Sequence, residues 1–543
     1  MRTRRAASDI GFGFGAARSA LVLPLSLLLS LVLSRCQLIA HIDGKDDFRC
    51  PSGTNQECIT KNGGPAICAR PQLTCQPVLS DACPTLLGSV ADDDTLLFGM
   101  IQDLRGNNKV TGTGRVQSVQ LAVEEILGAT GGIPSPNGGR TRPIAVVACT
   151  ENLDAASAAD PTVAGNFLIH DLGVPAIIGA GNSGTTIALA TSLTIPSHVL
   201  LFAPSASSDD IPSLPQGGSP VRLVWRIPPT NAAQAVALTD QIQQAAMAVT
   251  TGQTPARLAV LVKQDAFGTE LWNLILQTDQ LTINNAPVIN TPNADYLLVR
   301  QYPATPTAAE LAAIAGDVLA FAPNVVVSLG TGEAITGIVA PVEKGWPSTL
   351  AYLPQWIFTD GGESTLLLDQ IAAERALEAR CRGTEPGDLG PLFDAFVGGY
   401  GSRFPTGPAL SYGAAGAYDI LHLLAYAAYA ASAKDPTAPL DGERLAAGLV
   451  QAVSGSKPFS IGLDNPGSGF SALGSGGLSM RGAASGATPL GTSMTPAPYA
   501  FDTSGGEPLP VDVSVWCVSQ ETPFAFASSG LYYAASSDPD AGV

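Results

Sequence analysis

Charge is scarce in this chain of 543 residues: only 14% are Asp, Glu, Lys or Arg, and only four residues are His. Basic residues are the rarer sign, 28 against 46 acidic ones, for a formal net charge of -18. No basic stripe breaks that balance, so phosphate backbones are repelled and nucleic acid is excluded as a partner. Long apolar runs are few as well. The stretch from Ala20 to Leu33 falls short of the ~20 residues that a membrane-spanning helix needs. Catalytic signatures are also missing: there is no H-E-x-x-H, no G-x-S-x-G and no Walker loop. His41, His170, His198 and His422 supply all the imidazole, and His422, on an apolar stretch, reads as a packed core residue. No enzyme activity, metal site or cofactor is expected, and no repeat of solenoid period is found.

What is present is small and apolar. Hydrophobic residues make up 45% of the chain and Gly contributes 58 positions, the composition of a compact globular protein. The length exceeds one ordinary core, so two or more lobes are expected. The first 35 residues place Arg2, Arg4, Arg5 and Arg18 around and ahead of the apolar run, the layout of an export signal. That run ends at Leu33-Ser34-Arg35-Cys36, which resembles a bacterial lipoprotein cleavage site, although Arg35 stands where a small residue is preferred. Cys36 is therefore the candidate lipidation residue, and an exported, membrane-tethered protein of the periplasm or cell envelope is expected. Setting Cys36 aside, the nine cysteines become eight, enough for four disulfides in an oxidising compartment. Five of them lie between Cys50 and Cys83, where apolar periodicity is almost absent, so that segment depends on its bridges. An odd number in the cluster sends at least one elsewhere, with Cys83 to Cys149 a candidate pair.

The most informative stretch runs from Val174 to Pro212. Ala176-Ile177-Ile178 leads into Gly179-Ala180-Gly181-Asn182-Ser183-Gly184, and Val199-Leu200-Leu201-Phe202 leads into Ala203-Pro204-Ser205-Ala206-Ser207-Ser208. Each reads as a buried strand feeding a loop of small polar residues. The first loop fits G-x-G-x-x-G, yet the acidic residue about twenty positions on that a dinucleotide site requires is missing. Such loops lie together at the carboxyl ends of parallel strands, where small ligands bind. Elsewhere, strand-like runs alternate with helix-like ones: Thr95 to Ile101, Val116 to Leu127, Pro143 to Cys149 and Ala155 to Leu172. After Arg226-Ile227-Pro228 the alternation restarts with Leu258 to Val262, Gln301-Tyr302, Asn324 to Leu329 and Gln355 to Thr359. This predicts an α/β chain with two doubly wound parallel-sheet lobes behind a small Cys-rich segment. Within the first helix, Val116, Val119, Val123, Ile126 and Leu127 share one face and Arg115 is expected on the outer one. Ser454 to Pro498, rich in Gly, Ser and Pro, is expected to form long surface loops.

An ordered set of landmarks carries a resemblance. Ala122-Val123-Glu124-Glu125-Ile126 before Gly131-Gly132-Ile133, Ile178-Gly179 with its Ser/Thr loop, Phe202 through Ser207, Arg226-Ile227-Pro228, Asp265-Ala266-Phe267-Gly268, Asp360-Gly361, Gly383 through Gly387 and Tyr418-Asp419 follow one another. This order, from about Thr95 to Val518, resembles type I periplasmic binding proteins of the branched-chain amino-acid class. The resemblance implies two lobes joined by three crossovers that close on a ligand. Together with the export signal and the Cys-rich stretch read above, it divides the chain into a signal peptide (1–35), a Cys-rich segment (36–92), lobe 1 (93–226), lobe 2 (227–388), a return to lobe 1 (389–462), and a return to lobe 2 with a tail (463–543). It implies that Ser183, with Ser205 by its backbone and Ser207 by its hydroxyl, holds a ligand carboxylate, and that Asp360 holds the ligand ammonium. Phe267 replaces a common Tyr as an aromatic wall, and Thr331 is a further lining residue. The implied ligand is an amino acid or similar small amphoteric molecule. The implied partner is the permease of an ABC-type transporter, or a signalling receptor if the module is sensory.

Overall fold

The computed structural model describes residues 48–533, less the stretches 107, 153–159, 251–254, 278–279, 289–294, 388–389, 409, 491–492, 497, 502–505, 509–511, 521 and 523. The expected export signal and Cys36 lie outside the described residues. Among those described, no helix is long and apolar enough to cross a membrane.

The Cys-rich segment is held by bonds more than by a core. Helix α1 (Asn55–Asn62) packs on a hairpin of β1 (Ala66–Ala69) and β2 (Thr74–Pro77), clamped by Cys50–Cys68 and Cys58–Cys75. The third bridge, Cys83–Cys149, ties the end of the segment to the first sheet. Asn55 adds polar ties: its amide nitrogen donates to the carbonyls of Val90 and Asp92, and its backbone N–H to Asp93.

The first sheet contains β3 (Thr85–Gly88), β4 (Leu96–Gln102), β5 (Ile144–Thr150), β6 (Ala176–Ile178), β7 (Leu200–Ala203) and β8 (Val224–Arg226), in the order β3-β5-β4-β6-β7-β8. Only β3, at the edge, runs antiparallel to its neighbour. Strands β4 to β8 are buried along their whole lengths, which explains why they read as unbroken apolar runs and not as alternating ones. Helix α2 (Lys109–Thr130) covers one face. Because β5 lies on one side of β4 and β6 on the other, the order reverses at β4, and the loops after these three strands part around a crevice.

Helix α3 (Asn231–Val249) opens the second body. Its parallel strands are β9 (Leu258–Gln264), β10 (Leu297–Pro303), β11 (Val325–Leu329), β12 (Gln355–Phe358) and β13 (Cys381–Pro386). The chain then returns to the first body through α4 (Ala414–Lys434), whose residues from Ala414 to Ala431 are all buried, and α5 (Gly442–Val453). Strands β14 (Lys457–Ser460) and β15 (Leu478–Arg481) flank α6 (Pro466–Leu473). Finally β16 (Val513–Val518) and β17 (Phe526–Tyr533) complete the second sheet, in the order β10-β9-β11-β12-β13-β16-β17. Here the order reverses at β9.

Three expectations are corrected. Ser454 to Pro498 is not a run of surface loops: Phe459, Phe470, Leu478 and Met480 are buried in the first lobe's core, and Phe470 packs between Tyr426 and Tyr429 of α4. The return to the second lobe consequently falls after Tyr499, which still belongs to that core, and not at residue 463. Cys381 and Cys517 are free thiols, so among the described residues three disulfides form where four were expected. Cys381 shares an apolar core with Trp516. Successive strand residues face opposite ways, so Cys517 turns from that core and directs its sulfur to the carbonyl of Ala527.

The crossovers are fastened to one another. Buried Arg226, ending β8, donates from Nε to Glu507 on the third crossover at 2.6 Å, and from Nη1 to the Ser208 carbonyl. Gly387, after β13, donates its N–H to the carbonyl of Asp512 just before β16.

Candidate ligand cleft between the lobes

The two points of strand-order reversal face each other. From the first lobe come Gln102 and Asp103 after β4, Glu151 after β5, Gly181 to Ser183 after β6, and Ser205 after β7; from the second come Lys263 and Asp265 at β9, Phe267, Thr331 after β11, and Asp360 after β12. They line one cleft of about 720 Å³, its mouth included. The lobes also touch across it: Gly332 N–H donates to Asn108 Oδ1 at 3.3 Å, and Asp209 N–H donates to both oxygens of Glu270 at 2.8 and 3.0 Å.

Five of the six residues expected to bind a ligand therefore meet: Ser183, Ser205, Phe267, Thr331 and Asp360. Ser207 does not join them. It is buried beside the cleft, and its contribution is a backbone N–H donated to Ser183 Oγ. Ser183 Oγ accepts from the N–H groups of both Ser207 and Ser208, at 3.2 and 3.3 Å. With both lone pairs engaged, the hydroxyl proton is left to donate. The loop after β7 thus aims Ser183, which is the physical reason that Ser207 has no place at the surface of the cleft.

Asp360 does not cap the helix after it; Ser364 does. Its Oδ1 accepts from Gln234 Nε2 at 2.7 Å, and burial, opposed by that bond and by Arg115, pushes its carboxyl up to about 6. Behind it Glu385 is also held above the usual carboxylate range by burial, beside Glu363. Thr331 belongs to a tight local set: its hydroxyl donates to Glu333 and accepts from Lys263 Nζ at 3.1 Å. Burial works against the charge of Lys263, but Glu333 and Asp265, each 3.5 Å from Nζ, hold the ammonium above its ordinary value.

Several lining residues were not anticipated, among them Arg115, Gln102, Glu151 and Lys263. Arg115 was expected to face outwards from α2, but it is buried and points into the cleft, donating to Tyr412 O, Gln102 Oε1 and Gly181 O. Gln102 ends β4, Glu151 directly follows β5, and Lys263 sits within β9. The available signal was a polar residue directly after an apolar run, at the end of the strand where ligands bind. Glu151 is 3% exposed, and burial, then Asp103, push its carboxyl up to about 7.

Solved structures share this architecture. LivJ, the branched-chain amino-acid transporter substrate-binding protein of Streptococcus pneumoniae in complex with isoleucine, is 16% identical over 80% of this chain and 99% of its own, with a TM-score of 0.53. The chain has the type I periplasmic-binding-protein fold. The leucine-binding protein LivK of Thermotoga maritima shares this fold at 17% identity, over 80% of this chain and 97% of its own, with a TM-score of 0.52. So does a solute-binding protein of an ABC transporter from Rhodopseudomonas palustris in complex with p-hydroxybenzoic acid, at 14% identity, 81% and 97% coverage, and a TM-score of 0.54. No family profile and no curated protein matches the chain by sequence. In the type I fold the cleft between the lobes is the place where the two halves can hold one small molecule jointly.

Proposed function

We propose that this protein is an exported solute-binding protein, tethered through Cys36, that captures an amino acid or similar small amphoteric ligand and passes it to an ABC-type permease. One observation carries this reading: hydrogen-bond donors on one lobe (Ser183, Arg115) and a carboxylate on the other (Asp360) line the same cleft. A carboxylate and an ammonium on one ligand would pair with both lobes at once, and closure is then driven by contacts made only in the closed state. Capture and release, with no reaction, suffice for this role. The aromatic acid bound by the R. palustris neighbour offers a carboxylate and a phenolic hydroxyl that can donate to Asp360 but no positive charge to pair with it, so the amphoteric ligand fits better.

A thermal-shift panel of amino acids, aromatic acids and sugars on the mature protein tests it. A ligand that binds only the folded state must raise the melting temperature, by about 2.7 kcal/mol of added stability at a hundredfold excess over Kd. Amino acids are expected to give the shift and Asp360→Ala to abolish it. A panel in which sugars or aromatic acids shift the protein and amino acids do not would overturn the reading.

A further inference from the structure

Asp360 is not the only carboxyl group that the cleft leaves thinly partnered. On the opposite wall, Glu151 is 3% exposed, and its one side-chain hydrogen bond among the described residues is a long one, from Gly181 N–H to Oε2 at 3.4 Å. Asp103, its acidic neighbour, differs: its oxygens accept from the N–H groups of Arg105, Gly106 and Asn108 and from the Asn152 amide, so it organises its own loop. Lys263 is engaged by Asp265 and Glu333. Glu151 has no such use.

Gln102 supplies an independent observation at the same spot. Its Oε1 accepts from Arg115 Nη1 at 3.1 Å; a guanidinium can only donate, so the amide orientation is fixed. That leaves Nε2 as a buried donor with no partner among the described residues, on a side chain that is 0% exposed and lines the cleft. Gly181 keeps the place open. A Cβ there would stand 3.4 Å from both Glu151 oxygens and 3.5 Å from Gln102 Oε1. Both carboxylate oxygens of Glu151 and the amide oxygen of Gln102 thus converge on space that the absent side chain leaves free, an edge made of acceptors alone, and a buried polar group without a partner is costly unless a ligand completes it.

We propose that Glu151, with Gln102 beside Gly181, forms a second cation-holding subsite on the first lobe, so that the preferred ligand is a diamino acid whose two cationic groups meet Glu151 and Asp360. This rests on the amphoteric reading of the cleft and narrows it. A ligand with a single ammonium satisfies one of the two carboxylates and leaves the other buried and unpaired. A diamino acid pairs both, and its carboxylate remains for Ser183, Arg115 and Gln102 Nε2. Cationic groups in such a site also displace protons. The charged groups facing Glu151 are Asp103, Arg115 and Lys263.

Calorimetric titration of the full mature chain with lysine, ornithine, leucine and 1,4-diaminobutane provides the test. Lysine or ornithine is expected to bind at least about tenfold tighter than leucine, as one added charge-assisted contact allows. Glu151→Gln and Gly181→Ala, checked for folding by their melting curves, should each shrink that margin. On the unaltered protein, titrations near neutral pH in two buffers of different ionisation heat should show more protons released by lysine than by leucine. Leucine binding as tightly as lysine, or a margin unmoved in Glu151→Gln, overturns this inference and leaves the amphoteric reading standing. Binding of diaminobutane with no amino acid bound overturns the amphoteric reading and, with it, the diamino acid as the preferred ligand.

Discussion

At the scale of single residues, the cleft is governed by carboxyl groups taken out of water. Burial raises Asp360 to about 6 and Glu151 to about 7, because it penalises the charged form. The sign of the pH dependence follows. A ligand with two cationic groups, one for each carboxylate, needs both ionised, so its affinity should be weak near about pH 5, rise through the interval from 6 to 7, and level off by about pH 8. The unliganded protein should run the other way. Carboxyls raised above their unfolded values favour the folded state most at acid pH, and that advantage is lost as pH climbs through the folded values, so melting temperature without ligand declines where affinity grows. Parallel titrations and melting curves across this range check both limbs; affinity that is flat or falls with pH would contradict the assignment. Ser183 and Ser205 were legible in the sequence because small polar loops after buried strands are a local pattern. Arg115 was not, since a helical wheel separates polar from apolar faces but cannot tell which polar residue a second lobe will cover. Glu151 carries no motif at all, and its role depends on a neighbour, Gly181, that is distant in sequence.

At the scale of elements, the parallel strands were the most readable part. Strands such as β4, β5 and β9, covered on both faces, must be apolar almost throughout, and the runs Leu96–Gln102, Ile144–Thr150 and Leu258–Gln264 show it. The region from 454 to 498 hid its structure because its anchors, Phe459, Phe470, Leu478 and Met480, are spaced too sparsely among Gly and Ser to show a period. The crossovers, too, are built from contacts that no local pattern reveals. Arg226 is 0% exposed and meets Glu507 across 281 residues of chain. Removing one member of a buried pair strands the other, so Glu507→Ala should cost about 3 kcal/mol, read from urea unfolding. A loss within about 0.5 kcal/mol, typical of surface changes, would mean that the pair does not fasten the hinge.

At the scale of the whole molecule, two reversal points face each other and, among the described residues, the bonds across the gap are few, chiefly Asn108 with Gly332 and Asp209 with Glu270. Contacts so sparse leave the relative position of the lobes to be decided by what lies between them. Solution scattering should therefore show a smaller radius of gyration when a bound amino acid is present than when it is absent; equal radii would argue for a rigid pair of lobes.

The Cys83–Cys149 bridge and the ties of Asn55 to Val90, Asp92 and Asp93 have a mechanical meaning. They make the small N-terminal segment a rigid extension of the first lobe, with no covalent bridge of its own to the second. A pull on that end is transmitted through a disulfide into β5, next to the central strand, and bypasses the crossovers. Were the chain tethered at that end, the first lobe would be the stationary jaw and the second, joined to it covalently by the crossovers, the part left to swing.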